Sequence, residues 1–333
     1  MGDHSEALQV FVRVRPPIFK EVTLNTAVTV NGSRALTLSD EKRETRCSYD
    51  HVFNELSQQE EVFEKVKPLL IDVLTGRNSC IFAYGQTSAG KSYTMIGPNG
   101  GQDLFRRSPS EWGILPRASE FLLGYLNEKS QEGGLSYAVK ASFLQIYNET
   151  LYDLLKDSNS GPTVDEKQHL GGGGGKVSHD ELRIREVPSK KGGGGAEVWV
   201  SGLSEYRVQT AEDILKVLAV GANNRMTRST DFNETSSRSH ALLQLTFEIE
   251  TSNNGQRVIN RSKLSLVDLA GSEKIPLSEF NAANAKHMRE LTSINKSLSS
   301  LGNVIAALSS TRPHIPYRDS KLTRILQNTY VTE

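Results

Sequence analysis

The residues best suited to chemistry form one short run, Gly85-Gln86-Thr87-Ser88-Ala89-Gly90-Lys91-Ser92. The run has the spacing G-x-x-x-x-G-K-S, in which glycines let backbone N–H groups point at a phosphate. Lys91 would reach the β- and γ-phosphates of a nucleotide, and the hydroxyl of Ser92 would bind Mg²⁺. The run predicts a phosphate-binding loop, with a solvated Gly/Ser turn as the alternative.

The residues before the loop separate these two interpretations. Ser79 to Tyr84 is a short, mostly apolar run typical of a strand, and it leads directly into the first glycine. The motif requires a strand, then the loop, then a helix whose N-terminus adds a positive dipole end. This context favours nucleotide binding.

A second candidate residue, Asp268, closes the apolar run Leu264 to Val267 and precedes Gly271. Phosphate-loop enzymes place a Mg²⁺-associated carboxylate at the end of such a strand. An ordinary strand followed by an Asp/Gly turn is the alternative. Because the phosphate loop is present, we expect Asp268 in the second sphere of the metal and Gly271 at the γ-phosphate.

Length and composition limit the class of protein. The 333 residues suffice for one large domain or two, and the single phosphate loop favours one. The 39 basic and 39 acidic residues cancel, which argues against a generally basic nucleic-acid-binding surface. Cys47 and Cys80 form no C-x-x-C pair, which argues against a disulfide scaffold and a zinc site. No apolar run has the length of a membrane span or of a signal peptide, so we expect a soluble intracellular protein.

The periodicity of apolar residues predicts the elements that position these candidates. Helical spacing occurs over residues 60–74, 115–126, 210–222 and 291–308, and strand-like runs over 8–14, 79–84, 137–146 and 182–187. Two longer strands, 241–249 and 258–267, flank Asn254-Gly255, a strong hairpin signal. This order predicts an α/β fold of the P-loop NTPase class, with a central, mostly parallel sheet and helices on both faces.

Two glycine runs, Gly171 to Gly175 and Gly192 to Gly195, flank the predicted strand 182–187. A moving lid is one interpretation of these runs. Flexible surface linkers are the favoured interpretation, because unbroken glycine has no side chains with which to pack.

Positive charge is concentrated between Lys286 and Arg324. This segment holds seven basic residues and two acidic ones, a net charge of +5. A charged helix face is usually only solvated, but this one leads into a second basic run over 312–324. The segment therefore predicts a surface for an anionic partner.

Several motifs together resemble the motor domain of the kinesins. They lie at Val12 to Pro16, Tyr49 to Phe53, Phe82 to Met95, Asn233 to His240, Asp268 to Glu273, Ile294 to Leu298 and His314 to Arg324, and so cover nearly the whole chain. The resemblance implies a microtubule-dependent motor ATPase that couples ATP hydrolysis, with Mg²⁺, to microtubule binding and to force or movement. A non-motile, ATP-binding switch on microtubules is the alternative. A GTPase switch is disfavoured because Asn295-Lys296 does not continue into N-K-x-D.

The resemblance also implies roles for individual nucleotide-site residues. The adenine base would be surrounded by Arg13, Arg15, Pro16 and Tyr93, and Tyr93 would stack on it. The Mg²⁺ ion would be held by Ser92, Ser237 and Asp268. Ser236 would position the attacking water. Arg238 of the first switch segment would pair with Glu273 of the second, which also contains Asp268 and Gly271, when both close on ATP.

The resemblance places the partner surface on the segment from Lys286 to Arg324, which we call the basic segment. Acidic tubulin would be contacted by Lys296, Arg312, His314, Tyr317, Arg318, Lys321 and Arg324. The protein would then lie in the cytoplasm, on the cytoskeleton.

Two parts of the chain depart from the family pattern. Lys274 to Asn284 replaces a Lys-Thr-Gly-containing loop and is slightly longer. Gln327 to Glu333 stands where the family continues through Ser-Leu-Gly-Gly-Asn into a last strand, a last helix and the neck linker. We therefore expect one motor domain over 1–333 without those final elements, with insertions at 171–175 and 192–195 and with oligomerisation regions outside this chain.

Overall fold

The computed structural model describes residues 8–18, 21, 27–40, 42–101, 104–156, 182–187, 197–230, 237–253, 256–273, 285–310 and 314–330. The chain divides into two compact units, Met1–Lys65 and Val66–Glu333, and the boundary falls inside the first helix. The predicted glycine runs and the loop 274–284 lie outside the described residues.

The first unit consists of short strands: β1 (Phe11–Arg13), β2 (Val28–Val30), β3 (Ala35–Ser39), β4 (Glu44–Ser48) and β5 (His51–Phe53). Strands β2, β3 and β4 form an antiparallel sheet, whereas β1 pairs with β5 in parallel. Strand β1 is shorter than the predicted strand 8–14, although Val14 N–H still donates to the carbonyl of Phe53 at 2.9 Å. Pro16 and Pro17 then lack the N–H groups that would continue the ladder.

Helix α1 (Gln59–Leu74) begins in the first unit and ends in the second, as the apolar spacing over 60–74 predicts. The remaining elements of the second unit are β6 (Ser79–Ala83), α2 (Lys91–Met95), α3 (Ile114–Gln131), β7 (Leu135–Tyr147), β8 (Thr150–Asp153), β9 (Arg183–Val187), β10 (Glu197–Ser201), β11 (Tyr206–Val208), α4 (Ala211–Thr230), β12 (His240–Asn253), β13 (Gln256–Asp268), α5 (Ala285–Ser309), α6 (Lys321–Ile325) and α7 (Gln327–Tyr330).

The α/β class is confirmed, but the direction of the strands corrects one expectation. The central sheet has the order β11-β7-β12-β13-β6, and β8 also pairs with β7. Within the described strands of this sheet, only β13 and β6 pair in parallel, so the sheet is mixed and not mostly parallel. Two of the four antiparallel pairs, β7 with β8 and β12 with β13, follow from tight connections, since strands joined by a short turn run antiparallel. The other two, β7 with β11 and β7 with β12, join strands that are far apart in sequence. Asn253 pairs with Gln256, which agrees with the predicted hairpin.

Helices cover both faces of the central sheet, as predicted. Leu144 of β7 belongs to a buried cluster that includes Ile294 and Leu301 of α5. The next residue toward the N-terminus, Phe143, lies against Gly221 of α4, where a Cβ atom would approach its ring to 2.0 Å. Because neighbouring strand residues point to opposite faces, α4 and α5 lie on opposite sides.

Helix α4 continues eight residues beyond the predicted end at Ala222. Asn224 donates to the carbonyl of Leu154 at 2.7 Å, and Arg225 is 8 % exposed and salt-bridged. Tertiary contacts therefore stabilise this last part of α4, in which Asn224 has only modest helix propensity of its own. None of the helices in the described ranges combines the length and apolar character that crossing a bilayer requires.

Candidate functional site

The phosphate-loop motif lies between β6 and α2, in the strand-loop-helix order that was predicted. Ser88 and Gly90 have left-handed backbone conformations, with φ of 64° and 95°. Left-handed residues in such a loop turn N–H groups to one side, which forms an anion-binding nest. Gly90 adopts its conformation without the strain a side chain would bring, and it leads directly into α2.

Lys91 lies across this loop. Its Nζ donates to the carbonyls of Gly85 and Gln86 at 2.9 and 2.8 Å. Burial lowers the pKa of Lys91, while the carboxylates of Asp268 and Glu273 oppose that shift. A partly desolvated ammonium group held beside a nest of N–H groups is suited to a polyanion such as a nucleotide phosphate.

Asp268 lies at the end of β13, 4 % exposed, and contacts the phosphate loop directly. Its Oδ2 accepts hydrogen bonds from Ser92 Oγ at 2.7 Å and from Arg225 Nη1 at 2.8 Å. Its Oδ1 is buried and has no hydrogen-bond partner in the described part of the chain. The predicted proximity of Ser92 and Asp268 is therefore observed, together with an acceptor oxygen that remains unsatisfied.

Arg225 also belongs to this site, although it is not among the predicted site residues. Besides its salt bridge to Asp268, it donates from Nη2 to the carbonyl of Ser239 at 3.0 Å. It falls on the buried face of α4, three and seven residues after Ala222 and Leu218. A charge at an apolar-face position requires a partner, and this signal could have identified it.

The segment after β13 joins the loop to the residues before β12. Gly271 N–H donates to the carbonyl of Ser237 at 2.8 Å, and Ser272 N–H donates to that of Gly85 at 3.1 Å. A Cβ atom at position 271 would lie 2.3 Å from Glu273 Oε2 and 2.4 Å from Thr87 Oγ1. Only glycine fits this close approach without displacing one of those groups.

Glu273 is held by the phosphate loop. Its carboxylate accepts from Thr87 N–H at 2.8 Å and from Thr87 Oγ1 at 2.5 Å. Burial acts to raise the pKa of Glu273, but the hydrogen bonds from Thr87 outweigh it and hold the pKa below its usual value. The carboxylate is therefore ionised at neutral pH.

Arg238 lies away from Glu273, the partner that the resemblance implies in a closed state. Its Nη1 donates to Glu290 Oε2 at 3.1 Å, on α5. The other carboxylate oxygen of Glu290 accepts from Tyr147 Oη at 2.7 Å. The pairing of Arg238 with Glu273 stays a prediction for the nucleotide-bound state.

His240, next to this cluster, links three elements. Its Nδ1 accepts from Ala270 N–H at 3.1 Å, so the proton lies on Nε2, which contacts Ser297 Oγ of α5 at 2.8 Å. Burial lowers the pKa of His240 to about 3, so the ring is neutral at physiological pH. The contact connects the start of β12, the end of β13 and α5.

The proposed adenine residues fall in different units. Arg13 donates to Gln59 Oε1 at 2.7 Å, and the guanidinium of Arg15 pairs with Glu21 at 2.7 Å. Tyr93, in the second unit, has a side chain that is 44 % exposed. Their shared role stays a prediction, as does that of Ser236, which lies outside the described residues.

The basic segment is only partly available as a surface. Lys296, His314 and Arg318 are exposed, but Arg318 and Arg324 both pair with Glu186 of β9 at 3.0 Å. Tyr317 is 9 % exposed, in a turn that packs on α5 and α6, so its contact with a partner stays a prediction. Arg312 lies outside the described residues.

The fold and this geometry define an α/β protein with a phosphate-loop motif, a segment after β13 that contacts the loop, and a segment before β12 that contacts the first segment. Residues 13–332 match the family model described as the kinesin motor domain, and the chain belongs to that family.

Two curated relatives and one solved structure give the extent of the similarity. The chain is 38 % identical to kinesin-like protein KIN-5A of Arabidopsis thaliana in an alignment 336 positions long, which covers 96 % of this chain and 29 % of the relative. It is 37 % identical to kinesin-like protein Klp68D of Drosophila melanogaster, covering 97 % of this chain and 37 % of the relative. The structure of a fast kinesin superimposes with a TM-score of 0.77 at 34 % identity, covering 97 % of this chain and 81 % of that one. The chain thus spans well under half the length of these curated relatives.

Proposed function

We propose that this chain is a motor ATPase domain that hydrolyses ATP with Mg²⁺, binds microtubules, and couples the two to force or movement. One observation carries the proposal. The segment 268–273 contacts the phosphate loop through Asp268 and Glu273, and its Ala270 N–H donates to His240, whose other ring nitrogen contacts Ser297 of α5. A bound nucleotide and a ligand on α5 would therefore act on the same few residues. The fast kinesin structure was described in terms of its ATPase mechanism and its interactions with microtubules.

The donor set fits ATP with magnesium. Mg²⁺ prefers hard oxygen ligands and retains several waters, and the unsatisfied Oδ1 of Asp268 is suited to accept from such a water. Ser92 and Ser237 would hold the ion with the nucleotide, and Asp268 would orient its water shell. When bound, the ion would neutralise charge on the phosphate oxygens.

The chain's own residues would then act by position and charge and not by a covalent intermediate. Lys91 would exchange the carbonyls of Gly85 and Gln86 for phosphate oxygens. Ser236 would orient the attacking water, and Gly271 N–H would face the γ-phosphate. Arg238 and Glu273 would close over the site.

The partner surface would comprise Lys296 and the exposed part of 314–324. Acidic tubulin complements this charge, and the localisation that follows is the cytoskeleton.

The experiment is steady-state ATP turnover with and without microtubules, alongside filament gliding over surface-attached protein. We expect microtubules to raise turnover well above the basal rate and filaments to glide. Lys91→Ala should abolish both rates, while melting without nucleotide changes little, because the hydrogen bonds of Lys91 Nζ within the described residues go to the loop carbonyls of Gly85 and Gln86. Lys140→Ala, an exposed lysine paired with Glu205, is the matched control and should behave as the parent.

Three other outcomes are informative. Microtubule binding and ATP binding without stimulation would identify the non-motile switch. Stimulation without gliding would support the ATPase but not movement. Turnover in Lys91→Ala equal to that of the parent would refute the nucleotide site.

A further inference from the structure

Arg238 forms an ion pair with Glu290, a carboxylate that has no part in the proposed closing of the two switch segments. Glu273, its expected partner, is occupied by two hydrogen bonds from Thr87. Arg238 is instead paired with Glu290, and the two side chains are 21 % and 10 % exposed. The guanidinium therefore already has a low-dielectric, charge-assisted partner, which it must leave before it can meet Glu273.

Glu290 is held in place independently of Arg238. Tyr147 of β7 donates to its second oxygen at 2.7 Å, and Glu290 itself is 8 % exposed. Burial, followed by this hydrogen bond, raises the pKa of Tyr147 to about 12, so the tyrosine remains a donor at any physiological pH. A buried carboxylate with a donor on each oxygen is a built site for a guanidinium.

The same face of α5 makes a second contact, with the start of β12 just after Arg238. Ser297 follows Glu290 by seven residues, two helical turns, and bonds to His240, two residues after Arg238. Residues 290 and 297 share a helix face, and Arg238 lies in the turn that leads into β12 at His240. Displacement of α5 relative to β12 would therefore strain both contacts.

We infer that Glu290 is a positioning residue, which holds Arg238 on α5 between turnovers and releases it to Glu273 when α5 moves. The inference rests on the proposed function and extends it. Filament binding at Lys296, on the same helix, would pull Glu290 from Arg238 and so promote closure of the two switch segments over ATP. In the absence of microtubules, Glu290 would therefore slow ATP hydrolysis.

The test is Glu290→Gln, which keeps an acceptor for Tyr147 but presents no charge to Arg238. We expect affinity for mant-AMPPNP, a non-hydrolysable ATP analogue, to rise about tenfold, or ~1.4 kcal/mol, with mant-ADP affinity within twofold of the parent. Basal turnover should rise by a similar factor while microtubule-stimulated turnover changes little, so the stimulation ratio falls. Tyr147→Phe loosens Glu290 without altering charge and should act in the same direction, more weakly.

Other results would overturn the inference. If Glu290→Gln lowers basal and stimulated turnover equally and also lowers the melting temperature, Glu290 has only a structural role. Unchanged mant-AMPPNP affinity in both variants would show that Arg238 is not restrained; if the first variant does not fold, Tyr147→Phe alone decides. A parent that microtubules fail to stimulate would refute the proposed function, whereas the nucleotide affinities would still decide the role of Glu290.

Discussion

Asp268 is buried at the end of β13, and one of its oxygens accepts two hydrogen bonds. Burying a carboxylate destabilises a fold unless a nearby opposite charge offsets the lost hydration. Arg225 supplies that charge from α4, and the unsatisfied Oδ1 leaves one acceptor for a ligand. Arg225 therefore stabilises the fold and also orients the residue that faces the proposed metal.

The stability role of Arg225 can be measured with Arg225→Met, which keeps the side-chain volume but removes the charge. Because Asp268 would be left buried and unpaired, we expect the free energy of unfolding to fall by roughly 3–5 kcal/mol in urea without nucleotide. Arg261→Met is the control, since its pair with Glu248 is 72 % and 50 % exposed and should contribute under ~1 kcal/mol. Equal losses in the two variants would show that Asp268 does not depend on Arg225.

Sequence patterns correctly predicted those elements that depend on residues close together in the chain. The phosphate loop depends on fixed residue types, α1 on apolar spacing, and the β12–β13 hairpin on its turn residues. The end of α4 could not be read from local propensity, because Asn224 and Arg225 are stabilised by distant partners, Leu154 and Asp268. The mixed direction of the sheet depends on which strands become neighbours, and a single sequence carries little information on that pairing.

Strand β10 illustrates such a long-range dependence. The side chain of Asn328, in α7, accepts from Val198 N–H at 3.2 Å and donates to the Val198 carbonyl at 2.9 Å. Asn328→Ala leaves both partly buried groups without this partner, so we expect a loss of about 1–3 kcal/mol in the free energy of unfolding.

Deleting two residues from Gly192 to Gly195, beside the same strand, is the comparison for Asn328→Ala. Loop closure changes slowly with length, and a doubling costs only ~0.6 kcal/mol, so this deletion should alter the unfolding midpoint and ATP turnover very little. If the deletion were the more damaging change, the linker interpretation would be wrong and the lid interpretation would be favoured.

Across the whole molecule, charge is balanced in number but not in position. The 39 basic and 39 acidic residues cancel, yet the segment from Lys286 to Arg324 has a net charge of +5. Glu186 offsets part of this charge by pairing with Arg318 and Arg324, and these pairs hold its pKa below the usual value. Lys296 and Lys321 are therefore better probes of a partner surface than the two arginines.

Binding to microtubules through this surface should depend on salt and on Lys296 and Lys321. Contacts between exposed charges are screened over a Debye length of ~8 Å at physiological ionic strength, so co-sedimentation should weaken steeply as salt is added. Lys296→Glu with Lys321→Glu should weaken binding by at least roughly tenfold, ~1.4 kcal/mol, because each lysine becomes a repulsive charge against acidic tubulin. Basal turnover should persist, since neither side chain is part of the nucleotide site. Lys129→Glu with Lys140→Glu makes the same change in net charge on a partly exposed lysine of α3 and an exposed lysine of β7, and should leave binding nearly unchanged. Salt-independent pelleting, or equal weakening by the two double variants, would mean that overall charge or another surface holds the filament, and the basic segment would lose its assigned role.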